Sequence, residues 1–149
     1  RGEPTDRYEP GQPMGLKVVL DTVGLGGLTL DAVLRDANNL PVGFYSTSIF
    51  SQVTLPSKAG RYECRFTLEP QWLAAGEYSI DLETSLTHIM QDHRVDSAIR
   101  FFVERCSPND IPYNFEQSSG KGPLAMRLSA PLSFSELPPD EVGARPGPS

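Results

Sequence analysis

The sequence predicts an all-β fold, an antiparallel two-sheet sandwich of the jelly-roll or immunoglobulin-like kind. Three observations carry that reading. Short segments alternate apolar and polar residues, clusters of Gly, Pro, Asn and Asp separate them, and helical periodicity is hard to find. About seven such strands, each burying one face, are enough to close a single core.

The segments follow in order. Pro10-Gly11-Gln12-Pro13 is a turn, and Met14, Leu16, Val18 and Leu20 then share one face of a strand. Gly24 to Gly27 form a connection; that run has neither the lysine of a phosphate loop nor the spacing of a dinucleotide fingerprint. Leu28, Leu30, Ala32 and Leu34 alternate inward along the next strand, and Asp36-Ala37-Asn38-Asn39 reads as a hairpin turn. Pro41 to Phe50 reads as a further strand. Arg61 to Leu68 is the clearest alternation in the chain: Tyr62, Cys64, Phe66 and Leu68 face one way, Arg61, Glu63, Arg65 and Thr67 the other. Pro70 to Gly76 is a connection with room for one helical turn. Tyr78, Ile80 and Leu82 then lie opposite Ser79, Asp81 and Glu83, and Ala98 to Glu104 supplies another strand after a polar stretch.

The C-terminal part reads differently. Ser107 to Gly122 is a long loop, and Leu124 to Leu128 forms a candidate last strand with Leu124, Met126 and Leu128 on one face. From Leu137 onward, four prolines and two glycines in 13 residues predict a flexible end. The expected division is therefore 1–7 as an N-terminal extension, 8–130 as the sandwich with a final strand near 124–128, and 131–149 as a flexible tail.

Composition bounds the function. At 149 residues with 38% hydrophobic and 21% charged residues, the chain has the makeup of one ordinary globular domain rather than a disordered one. Its longest apolar runs, such as Phe101-Phe102-Val103, fall far short of a bilayer span. A net charge of −6 argues against a nucleic-acid partner. No basic leader precedes an apolar stretch, so no secretion signal is expected, and Arg1 in place of Met gives the expectation of a fragment cut from a longer chain.

Several chemistries lack their residues. Cys64 and Cys106, with 41 residues between them, do not have zinc-site spacing and read as buried small hydrophobes in a reducing compartment. There is no Gly-x-Ser-x-Gly elbow, and His88 and His93 read as solvated loop histidines rather than metal ligands. Asp81 and Glu83 share one strand face, whereas a hydrolytic carboxylate pair works across a cleft. No metal or cofactor is expected. Trp72 offers a ring face suited to sugar C–H groups, but reads first as a cap on one end of the core. Tyr45 is the better surface aromatic, since alternation puts Phe44 and Ser46 on the opposite face. Arg61, Arg65 and Arg100 share an outward register with Asp81 and Glu83; they read either as a solvated ion-paired face or as a grip for carboxylate or phosphate.

The order of these elements resembles the C-terminal domain of the ATP-binding subunit of O-antigen polysaccharide exporters, the Wzt type. The resemblance rests on Tyr8-Glu9-Pro10-Gly11-Gln12-Pro13, Leu34-Arg35-Asp36 and Pro41-Val42-Gly43-Phe44. It continues through Gly60-x-Tyr62-x-Cys64-x-Phe66, Leu73-Ala74-Ala75-Gly76-Glu77-Tyr78-Ser79-Ile80 and Asp96 to Glu104, so that it spans roughly Tyr8 to Glu104. It implies a non-catalytic carbohydrate-binding module that recognises the capped, non-reducing end of an O-polysaccharide in the cytoplasm. Such a module passes the glycan to the membrane subunit at the inner-membrane face, while ATPase chemistry resides in a separate nucleotide-binding domain. It also implies a homodimer with exchange of a C-terminal strand, here Leu124 to Leu128. The chain departs from the family pattern in having little sequence before Tyr8 and a long proline-rich end.

On this reading the ligand lies on the polar outer face of one sheet. Tyr45 stacks on a sugar, Arg65, Asp81 and Arg100 bond its hydroxyl or acidic groups, and His93 and Arg94 contribute from a neighbouring loop. Two other readings stay open: a structural dimerisation or interaction domain with no glycan ligand, and a glycan hydrolase using Asp81 and Glu83.

Overall fold

Alternation becomes two facing sheets in the computed structural model, which describes residues 5–24, 26–69, 71–86, 90–105 and 115–139. His88, Cys106, the first half of the Ser107 to Gly122 loop, the last residues of the tail and the side chain of His93 lie outside the described residues. The strands are β1 (Arg7–Tyr8), β2 (Met14–Thr22), β3 (Leu28–Arg35), β4 (Pro41–Ser46), β5 (Gly60–Leu68), β6 (Gly76–Leu86) and β7 (Met90–Val103). One short helix, α1 (Thr47–Ser51), follows β4. One sheet has five strands in the order β1-β7-β6-β3-β4, with β1 parallel to β7 and every other pair antiparallel; the second is the β2–β5 pair.

The core fills the space between them. Tyr78, Ile80, Phe101, Val103, Ala32 and Leu73 meet Met14 and Leu16 in one cluster, and Val18, Leu28, Leu30 and Leu55 form a second. Phe66 and Leu82 touch both clusters and join them. Tyr78 is 1% exposed and remains satisfied because its hydroxyl donates to Ala74 O at 2.6 Å. Its ring stacks on Phe101 with centroids 5.5 Å apart.

Two strands cannot cover five. A groove of about 460 Å³ opens beside β4, lined by Met14, Tyr45, Phe66, Leu73 and Leu124 among others. Another, of about 640 Å³, opens on the β7 side between Val19, Leu82 and Val95. Each strand of the smaller sheet keeps one edge without a strand neighbour among the described residues.

Three expectations are corrected. The segment Pro41 to Phe50 is not one strand: it ends at Ser46, which caps α1 by accepting from Ile49 N at 3.4 Å. The helix is held by a buried hydroxyl cluster. Thr29 Oγ1 lies 3.0 Å from Ser46 Oγ and 3.2 Å from Thr47 Oγ1, and accepts from Ser48 N at 3.2 Å. β7 starts at Met90 rather than near Ala98, because a bulge lets the polar stretch stay paired with β6. Leu124 makes one antiparallel bridge with Leu73, and residues 125–128 extend no ladder from it.

Candidate functional site

The five-stranded sheet orders the candidate residues on its outer face. Ala32 and Ile80 point into the core, so Val33 and Asp81 point out. Cross-strand register then places Phe44, Val33 and Asp81 in one row, Ser46, Asp31, Glu83 and Arg94 in the next, and Arg35, Ser79 and Arg100 on the other side of the first.

Asp81 is the centre of this face. Its side chain is only 7% exposed, yet both carboxylate oxygens are occupied. Oδ2 accepts from Arg35 Nε at 2.6 Å and from Arg94 Nη2 at 3.4 Å, and Oδ1 accepts from Ser97 N at 2.7 Å. The bulge makes this possible: between the Ile80–Ile99 and Leu82–Val95 pairs, Asp81 faces the longer run Asp96-Ser97-Ala98, and Ser97 takes a left-handed φ of 50°. Arg35 is fixed from behind by its bond from Nη1 to Asn39 O at 3.0 Å in the β3–β4 turn. Arg94 donates from Nε to Asp96 Oδ1 at 2.7 Å.

Burial pushes the Asp81 pKa up, but the Ser97 amide and the two guanidinium groups outweigh it and hold the carboxyl below its ordinary value. A carboxylate held ionised and bonded three ways has no proton to give. That argues against Asp81 as the general acid in the hydrolase reading with Glu83. The ion pairs also balance two guanidinium groups with two carboxylates, so the cluster offers hydrogen-bonding groups rather than net positive charge.

The sequence-derived candidates divide between places. Asp81, Arg94 and Arg100 share the outer face; Arg100 is solvated, 4.0 Å from Glu77. Arg65 and Arg61 belong to β5 and point outward from the other sheet, where Arg65 pairs with Glu63 across from Lys17. The expected shared register of Arg61 and Arg65 with Arg100 and Asp81 is thus corrected: alternation gives the direction relative to a sheet, not which sheet. Tyr45 is corrected as well. Paired with Ala32, it points inward, stacks on Phe66 at 5.4 Å and places its hydroxyl 2.5 Å from Ser51 Oγ.

Phe102 on β7 also faces outward, and the outer-face aromatic in the row of Asp81 is Phe44, 51% exposed and braced edge-on by Phe50 at 5.9 Å. Sequence reasoning missed it through a one-residue error in parity on β4. The parity is set by the register with β3, which pairs Tyr45 with Ala32 and Phe44 with Val33, and no signal within β4 itself carries it. Among the described residues no group of His, Cys, Asp and Glu could hold a metal ion, and no helix is long and apolar enough to cross a membrane.

No protein-family model matches the sequence, and no curated protein does. The structure matches the crystal structure of the C-terminal domain of wzt with a TM-score of 0.64 and 12% identity, over 88% of this chain and 74% of that one. The two chains share a fold.

Proposed function

We propose that the chain is a non-catalytic carbohydrate-binding module that recognises the capped, non-reducing end of an O-antigen polysaccharide for export by an ABC transporter. The observation that carries the reading is the outer row of the five-stranded sheet. An exposed ring, Phe44, lies in the row of Val33 and Asp81, and Asp81 pairs with Arg35 and Arg94 from the rows on either side. A ring face that sheds water against sugar C–H groups, next to fixed donors and acceptors for hydroxyls, is the composition such a site needs. The wzt-like fold supports the same assignment.

Phe44 takes the stacking role expected of Tyr45. Arg94, Asp96 and Arg100 contact hydroxyls, and Asp81 orients Arg35 and Arg94. His93, the neighbour of Arg94 in β7, stays in the proposed set; Arg65, on the other sheet, does not. The balanced charge favours hydroxyl-rich sugar over a carboxylate or phosphate cap.

The partners follow from this reading: the glycan, the transporter's nucleotide-binding domain and membrane subunit at the cytoplasmic face of the inner membrane, and a second copy. Dimerisation by strand exchange is supported by the alternate residues Leu124, Met126, Leu128, Leu132 and Phe134, all at least 57% exposed, and by the open edges of β2 and β5.

Calorimetric titration with full-length O-polysaccharide, followed by analysis of the recovered glycan, tests the assignment. Saturable binding with intact glycan is expected. Absence of binding would leave an interaction domain, and shortened glycan would leave a hydrolase.

A further inference from the structure

Trp72 lies away from the outer face, in the connection before β6, and its surroundings are built rather than incidental. The backbone of the Glu9–Gln12 turn presses on the ring. A Cβ at Gly11 would lie 2.5 Å from Cζ2 and 2.8 and 2.9 Å from its neighbours Cη2 and Cε2, the distances of an atom above the ring plane. Gly11 also donates from its amide to Gln71 O at 2.9 Å and has a left-handed φ of 83°. The ring is thus fixed by a turn that only glycine suits.

The C-terminal segment supplies the second contact. The Arg127 guanidinium carbon stands 3.8 Å from the Trp72 ring centroid. The segment's backbone is tied by Ala74 N to Pro123 O at 2.7 Å and Ala125 N to Trp72 O at 2.8 Å, both before Arg127. On either side of Arg127, Met126 and Leu128 are 91% and 73% exposed. Trp72 itself keeps 37% exposure. A guanidinium held on a fixed ring, in a stretch of chain otherwise open to solvent, is a displaceable occupant.

What attracts a guanidinium to an indole face is the ring's negative quadrupole, and the polarised C–H groups of a pyranose answer the same field. We propose that this face of Trp72 is a second saccharide position, suited to an uncharged pyranose, for which the sugar and Arg127 compete. The proposal rests on the carbohydrate-binding reading and extends it to a site on another part of the molecule. Sugar binding here would loosen the segment that carries the exposed apolar row, coupling glycan occupancy to the pairing of that segment with a second copy.

Trp72 is the one tryptophan in the chain, so its emission reports on this site alone. The test titrates the full chain with the methyl α-pyranosides of mannose, glucose, galactose and rhamnose, in the wild type, Arg127→Ala and Phe44→Ala. At least one glycoside is expected to change the emission saturably. Half-saturation should fall about two- to fivefold in Arg127→Ala, the factor an exposed cation–π contact represents. Phe44→Ala should titrate like the wild type. A flat response to all four sugars, equal half-saturation with and without Arg127, or loss of the response in Phe44→Ala would each overturn the proposal. A flat response here, with O-polysaccharide affinity still dependent on Phe44, would remove this site and leave the outer-face reading standing.

Discussion

Arg35 and Asp81 are 46 residues apart in sequence and meet at 2.6 Å on the outer face of the five-stranded sheet, where Asp81 is almost wholly buried. Adjacent strands β3 and β6 bring them together, and the bulge in β7 adds the Ser97 amide and Arg94. One carboxylate thus sets the direction of two guanidinium groups on the surface proposed to meet the glycan.

That arrangement makes stability depend on acid. Asp81 is held below its unfolded pKa, so its contribution is fully present above the unfolded value near 4 and is lost as pH falls through the folded one. Asp81→Asn should cost roughly 2–4 kcal/mol at neutral pH, less than a fully buried pair because Arg94 is partly solvated. Urea unfolding of both proteins between neutral and strongly acid pH checks this. The gap should hold at neutral pH and narrow below about pH 4; a gap unchanged by acid would contradict the role given to Asp81.

Phe44 and Tyr45 should separate cleanly, although they are neighbours in sequence. Tyr45→Ala removes a ring packed on Phe66 and should destabilise by about 2–4 kcal/mol. Phe44→Ala removes a half-exposed ring and should cost under about 1.5 kcal/mol while weakening glycan binding. Paired unfolding and binding curves decide it, and reversal of the two phenotypes would return the stacking role to Tyr45.

Gly11→Ala tests the seat of Trp72. The substitution adds a methyl against the indole at a left-handed φ, and should destabilise by about 1–3 kcal/mol and shift the Trp72 emission. Unchanged unfolding and emission would mean that the turn yields freely.

Thr29→Val keeps the shape of a buried residue and removes the hydroxyl shared by Ser46, Thr47 and the Ser48 amide. The expected loss is about 1–3 kcal/mol, with local opening of α1 seen as faster amide exchange at Ser48 and Ile49. Slow exchange retained at both amides would show that another interaction holds the helix.

The strands were legible because period-two alternation and turn residues are local signals; β2, β3, β5 and β6 follow from side chains such as Met14, Leu30, Phe66 and Ile80 alone. Residues 46–51 misled because Thr47, Ile49 and Phe50 also suit a strand, and the Thr29 hydroxyl that favours a helix there lies on β3. The site was legible in its residue types and only partly in its assembly. Asp81 and Arg100 share the outward register that alternation gives them, but Arg94, expected on a neighbouring loop, lies in β7; Arg35 enters only through the β3–β6 register, and Arg65 is set apart by belonging to the other sheet.

The central claim is that the Phe44–Asp81 face reads a glycan terminus, and calorimetry on capped and uncapped O-polysaccharide tests it most directly. The wild type should bind the capped chain and discriminate against the uncapped one. Phe44→Ala and Arg94→Ala should each lose at least about 1 kcal/mol of that binding with the fold intact, the scale of a stacking contact or a charged hydrogen bond. Equal affinity of both variants and the wild type for the capped glycan would contradict the account.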